Sequence, residues 1–257
     1  MPSFLSPAVG ALLPRISPAR RGAGMRALAL AGVLVAAASL PARALDPALA
    51  PAPASAPAWP DSLAGRLAAL ALVQTLNADL LSHPSATLTL DRWCADHRLA
   101  PAGMKIVADR VKDVDKPADA AVREALQVGR EEKVAYRRVR LRCGDRVLSE
   151  ADNWYVPALL TDDMNRILDT TDTPFGRVVQ PLSARRRTLS AELLWRPLPQ
   201  GWEMGATLPP ASGAPLAPPS HVLQHRAVLA LPDGRPFSAL VETYTGEVLG
   251  FPWIAGR

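Results

Sequence analysis

Cysteine, histidine and aromatic residues are scarce in this 257-residue chain, with two Cys, four His and 5% Phe, Trp and Tyr. Two Cys and four scattered His supply no metal-ligand spacing, so no metal centre is expected. There is no internal repeat, which argues against a solenoid or a propeller. Asp, Glu and Lys are missing from residues 1–44, which hold Arg15, Arg20, Arg21, Arg26 and Arg43. Those five are part of the 29 Lys and Arg of the chain, so the remainder carries 24 basic residues against 24 acidic ones. The net charge of +5 therefore belongs to the leader. A neutral remainder lacks the broad basic face that nucleic acid requires. The dense cluster "ARRR" at 184–187 reads as a solvated strand end.

From Met25 the text runs "MRALALAGVLVAAASLPARA". A basic start, an apolar stretch and a small-x-small site have the order of a secretory signal. The stretch is about 14 residues, short of the roughly 20 that span a bilayer. Residues 1–44 are therefore expected to be a leader, with Met25 a candidate true start. The alternative is an uncleaved anchor. Export implies a periplasmic or secreted protein that is not inserted in the membrane after cleavage. In such a compartment Cys94 and Cys143 can pair. The bond would close a loop of about 50 residues, worth ~4 kcal/mol on the chain-entropy account. Two buried thiols on different elements remain the other reading.

Residues 45–60, rich in Pro and Ala, read as an extended linker, and 61–257 as one domain. Helical spacing of Leu63, Leu67, Leu70, Leu76 and Leu80 predicts a first helix capped by Asp61 or Ser62. A short second helix is expected with Thr89 as its cap, and another within "PADAAVREAL". "LTDDMNRIL" predicts a helix capped by Thr161, with Asp162 and Asp163 where the helix dipole favours them. "VAYRRVRLRCGDRVLSEADNWYV" predicts a hairpin turning at Gly144-Asp145. "KIVADRVKDV", "GRVVQPL" and "RTLSAELLW" read as strands, residues 197–219 as an exposed Pro-rich loop, and 222–250 as a last hairpin. Hairpin strands with helices grouped in the first half predict an α+β fold built on an antiparallel sheet. The bend "DTTDTPFGRVV", with Pro174 fixing the approach and Gly176 easing the backbone, is expected to turn the chain sharply.

On chemistry, a strand arginine can grip a carboxylate with two parallel hydrogen bonds. "YRRVRLRCGD" offers Arg138, but alternation puts Arg138, Arg140 and Arg142 on one face, with Leu141 opposite, and such a face is usually solvated. Glu242 between Val241 and Thr243 is either a functional acid or a strand carboxylate paired with an arginine. Trp154 and Tyr155 are either pocket walls or core. The order Arg138, Cys143-Gly144-Asp145, Val156-Pro157 and Thr173-Pro174-Phe175-Gly176, with Ser85-Ala86-Thr87 upstream and "RPFSALVETYTG" downstream, resembles the chorismate pyruvate-lyase family. The resemblance covers most of residues 70–250. It implies a chorismate lyase-like fold enclosing a ligand site, which removes pyruvate from chorismate to leave 4-hydroxybenzoate, without metal or cofactor. It further implies Arg138 on the ligand carboxylate, backbone N–H groups near Ala86 and Phe175 beside it, Gly176 at the pocket bend, and Glu242 as the catalytic group.

The chain departs from that family's pattern in four places. Asn153 stands where the family has a second arginine. Ala86 and Phe175 replace other apolar residues. Extra residues surround the Pro-rich loop. The leader implies export, away from cytoplasmic chorismate. The expectation is thus a monomeric, exported member that acts on chorismate or a related enol ether. The alternatives are a non-catalytic periplasmic module binding a small aromatic carboxylate, and an envelope interaction protein.

Overall fold

Residues 59–252 are described in the computed structural model of the chain. The expected leader, and the linker up to residue 58, lie outside the described residues. Strand β1 is Trp59–Pro60, followed by helices α1, Leu63–Ser82, and α2, Ala86–Asp96. Next come β2, Val107–Arg110, and α3, Ala120–Leu126. The hairpin β3, Ala135–Cys143, and β4, Arg146–Tyr155, leads into α4, Asp162–Thr170, and the one-turn α5, Phe175–Val178. Strands β5, Arg185–Leu193, β6, Pro215–Leu216, β7, His221–Ala230, and β8, Pro236–Thr245, complete the order. Six strands form one antiparallel sheet in the order β2-β3-β4-β8-β7-β5, while β1 and β6 pair separately. This is the α+β, chorismate lyase-like arrangement expected from the sequence. No helix among the described residues is long and apolar enough to cross a membrane.

Local signals act as their chemistry requires. Ser62 caps α1 through Gly65 N–H at 3.2 Å, while Asp61 instead pairs with Arg66 at 2.6 Å. Thr161 caps α4 through Met164 N–H at 3.2 Å, with Asp162 and Asp163 in its first turn. Helix α2 starts earlier than expected, because its cap is Ser85, accepting from Leu88 N–H at 3.4 Å; Thr89 is buried inside it. The predicted strand "GRVVQPL" is helical instead: α5 is followed by a 3-10 turn over Gln180–Leu182. Gly144 and Gly234 turn the two hairpins with positive φ of 57° and 92°.

Two apolar clusters cover one face of the sheet. The first joins α1 and α2, through Leu76, Leu80, Leu90 and Trp93, to Val139, Leu141 and Tyr244. The second joins α4 and α5, through Met164, Leu168 and Val178, to Tyr155, Phe237 and Leu240. On the other face α3 covers Trp154, Val228 and Ala239 through Leu126. Trp154 and Tyr155 are thus core residues, on opposite faces as strand alternation requires. Trp59, read as the end of the linker, is 2% exposed and belongs to the first cluster. The Pro-rich stretch 197–219 is more anchored than expected, for it contains β6 and the buried Leu198.

Cys94 of α2 and Cys143 at the end of β3 form a disulfide with Cα atoms 6.4 Å apart. Of the two readings of these cysteines, the bonded one is found.

Candidate functional site

A recessed cavity of about 50 Å³ lies where the two apolar clusters meet, under the start of α2 and the turn of α5. Its floor is the sheet, through Arg137, Val139, Leu141, Ala151, Asn153, Leu229, Leu240 and Glu242. Its roof is Ser85, Ala86, Thr87, Phe175 and Gly176, and Arg186 of β5 enters from the side. The first turn of α2 leaves the N–H groups of Ala86 and Thr87 without partners in the helix.

Arg137 is the dominant feature. It is 3% exposed, and its Nη2 makes one long hydrogen bond, 3.4 Å, to the Thr173 carbonyl. Its Nε and Nη1 are buried and have no partner. Burial, and then the neighbouring charge of Arg110, pull its pKa below the usual arginine value. Asn153, directly across the β3–β4 ladder from Arg137, donates to nothing through Nδ2, while its Oδ1 accepts from Ser238 Oγ at 2.7 Å. A buried cation beside unused donors is costly unless an acceptor-bearing anion completes it.

The other end of the cavity is already complete. Arg186 Nη2 donates to Glu242 Oε2 at 2.5 Å, with side chains only 4% and 8% exposed. Tyr244 Oη donates to the same oxygen at 3.2 Å. Burial is the largest single influence and lowers the Arg186 pKa, but the Glu242 charge, Tyr244 and the hydrogen bond to Glu242 together outweigh it, and the net shift is upward. Arg186 Nε stays unpartnered and faces the same space.

His225, next to Glu242 across the β7–β8 ladder, is wholly buried. Its Nε2 lies 2.8 Å from Asn77 Oδ1, so the proton sits on Nε2, and Nδ1 has no partner. Burial is the main cause that lowers its pKa to about 4, with Glu242 opposing and Arg186 assisting. A neutral histidine here favours the fold fully above pH 6.5, its unfolded value. That contribution is lost as pH falls from 6.5 towards 4, because the unfolded chain takes up the proton first. Unfolding free energies from urea titrations at pH 7.5 and pH 4.5 should differ by about 2–3 kcal/mol from this group. A His225→Gln variant should flatten that difference.

The sequence expectations meet this geometry unevenly. Ala86, Phe175, Gly176 and Glu242 line the cavity. Arg138 does not. It lies on the opposite face of the sheet, pairing with Asp152 at 3.2 Å and Glu150 at 3.6 Å. Residues 137, 139, 141 and 143 of β3 are the buried set, so the cavity arginine is one position earlier. Gly176 does not serve by backbone freedom, since its φ is not positive. Its role is close approach: a Cβ there would meet Ser85 Oγ at 2.8 Å and Thr87 Oγ1 at 3.0 Å. Arg186, read as part of a solvated strand end, is buried. The expectation of a catalytic Glu242 meets a carboxylate already held by two donors, the ion-paired alternative.

A wider, open hollow of about 630 Å³ occupies the other face, near Lys116, Arg138, Trp154 and Gln224. Two of its cations are neutralised in place, Lys116 by Asp152 at 3.1 Å and Arg138 as above, while a third, Arg226, is exposed to solvent. It presents no orphaned charge comparable to Arg137. Among the described residues no group of His, Cys, Asp and Glu could hold a metal ion.

No protein-family model matches the chain. Solved structures similar to it include PhnF from Mycobacterium smegmatis, at 14% identity and TM-score 0.42, covering 68% of this chain and 69% of that one. The effector domain of PhnF matches at 13% identity and TM-score 0.40, over 64% and 90%. A GntR-family transcriptional regulator from Enterococcus faecalis matches at 16% and 0.35, over 58% and 99%. One of the three is a GntR-family transcriptional regulator and another an effector domain, and none is described as a pyruvate-lyase. Assignment to the chorismate pyruvate-lyase family is therefore corrected: the likeness lies in the fold. Among curated proteins, the uncharacterized protein y4mC of Sinorhizobium fredii is 60% identical over 194 residues, which are 76% of this chain and 82% of that protein. At that identity and coverage, the chain belongs to the same family as y4mC.

Proposed function

We propose that this domain binds a small carboxylic acid in the cavity between α2, α5 and the sheet. The observation that carries the reading is Arg137, buried with two N–H positions unused. A carboxylate can take one edge of the guanidinium in a bidentate contact, bridging Nη2 with either Nε or Nη1, and so satisfy one of the two unpartnered nitrogens, while a second acceptor such as an ordered water takes the other. The free N–H groups at the start of α2 and Asn153 Nδ2 supply further donors around the same anion. Val139, Leu229, Leu240 and Phe175 would hold an apolar body.

Volume sets the size of that body. At about 10–15 Å³ for each water, a cavity of about 50 Å³ takes a few waters or a short acid. Benzene occupies a cavity of ~150 Å³. An aromatic acid such as 4-hydroxybenzoate therefore needs Phe175 or Leu229 to move aside, whereas a short-chain acid does not. Pyruvate elimination asks Glu242 to exchange a proton. Because Arg186 and Tyr244 both donate to it, binding without chemistry is the reading we hold.

The test uses the full chain with propionate, pyruvate, benzoate and 4-hydroxybenzoate, and with propionamide and benzamide as uncharged controls. Calorimetric titration should show binding of at least one acid and of neither amide. Arg137→Gln should weaken that binding about 10- to 100-fold, the worth of a charge-assisted contact, while Arg138→Gln leaves it unchanged. Equal binding of acid and amide, or loss in the Arg138 variant instead, would refute the reading.

A further inference from the structure

Strand β5 is a free edge: it is hydrogen-bonded to β7 on one side and ends the sheet order. Such an edge offers a row of unpaired N–H and C=O groups to another strand. Nine residues make it long for an exposed edge, and Arg187, Leu189, Ser190, Ala191 and Glu192 are all exposed. Leu189 is 48% exposed. Among the described residues neither Arg187 nor Glu192 has an ion-pair partner.

A regular strand cannot pair with its own copy so that Arg187 meets Glu192. Two residues five apart point to opposite faces, and antiparallel partners must share a face. Strand β5 is not regular. Its register against β7 slips between Thr188 and Ser190, so Leu189 is an inserted residue. Arg187 pairs with Val228, which packs towards α3, and Glu192 pairs with Gln224, which lines the open hollow on that same face. The bulge thus brings Arg187 and Glu192 onto one face of the strand.

We infer that β5 is the dimerisation edge of this protein, pairing antiparallel with β5 of a second copy about a two-fold axis between Leu189 and Ser190. Arg187 then stands opposite Glu192 of the second copy, and the symmetry repeats the contact. Thr188 faces Ala191 and Leu189 faces Ser190, each pair on a shared face. The two six-stranded sheets continue as one. The same charges oppose other registers: a parallel pairing in register stacks the Arg185-Arg186-Arg187 run on itself, and like charges directly opposite destabilise a pair.

Charge exchange tests the register. The full chain is followed by analytical ultracentrifugation from 1 to 200 µM, with circular dichroism to establish folding. Wild type should sediment at twice the monomer mass in the upper range. Arg187→Glu alone and Glu192→Arg alone place like charges opposite each other twice, and should raise the dissociation constant about tenfold or more. The double variant Arg187→Glu/Glu192→Arg restores both attractions and should return it to near the wild-type value. Both sites are exposed, so the variants should keep the wild-type spectrum. A wild type that stays monomeric at 200 µM, or a dimer that ignores the single exchanges, overturns the proposal. So does a double variant no better than the singles.

Discussion

Replacing Arg186 by Met should destabilise the fold by about 3–5 kcal/mol, because it strands a buried carboxylate. The pair Arg186–Glu242 is almost wholly excluded from water. Its attraction in that setting offsets the cost of drying both ions, and removing one partner leaves the other uncompensated. Tyr244 would still donate to Glu242, so the loss should not be larger than a buried pair normally shows. Urea unfolding of Arg186→Met, Glu242→Leu and the double variant measures it. The double should be more stable than Arg186→Met alone, since no charge is then left buried. A single variant within 1 kcal/mol of wild type would mean that water reaches the pair freely.

Breaking the Cys94–Cys143 bond should be nearly as costly, at ~4 kcal/mol on the chain-entropy account for a sequence separation of 49. Both cysteines are buried, at 2% and 0% exposure, so the bond also ties α2 to the strand that carries Arg137. Substituting both by Ser adds two hydroxyls to an apolar cluster, so Cys94→Ala/Cys143→Ala is the cleaner variant. Its unfolding free energy, compared with wild type in the absence and presence of reductant, isolates the bond. Reduced wild type and the double variant should fall together. Reduced wild type matching the oxidised protein would remove the bond's assigned contribution.

The α+β class, both hairpins and the helix carrying Thr161 were legible because each rests on local chemistry. A cap, a turn glycine or a period of two or 3.6 acts within a few residues. The arginine of the site was legible only in part. Four arginines in six positions of β3 satisfy the composition of a carboxylate anchor at either parity. Leu141 already marked the buried parity, however, and Arg137 shares it. The family likeness pointed to Arg138, and a shift of one residue in a strand exchanges the faces. The helical form of "GRVVQPL" was hidden because Val178 and Val179 carry strand propensity, yet both are buried against the second cluster. Tertiary packing outweighs propensity there. Arg186 could not be told from Arg185 and Arg187 by sequence, because all three sit in one run and only the partner strand decides which faces inward. The pairing of Trp59 with Leu216 crosses most of the chain and has no local signature.

That small β1–β6 contact bears on how the protein tolerates a cut backbone. Within the exposed stretch 205–214, Arg66 Nη1 and Nη2 reach the carbonyls of Pro209 and Pro210 at 3.3 and 3.4 Å, and Asp61 accepts from Ser212 N–H at 2.7 Å, just before β6. A protease nick between Gly205 and Leu208 would therefore free no fragment: β7 and β8 stay in the sheet, and the new terminus stays clasped beside α1.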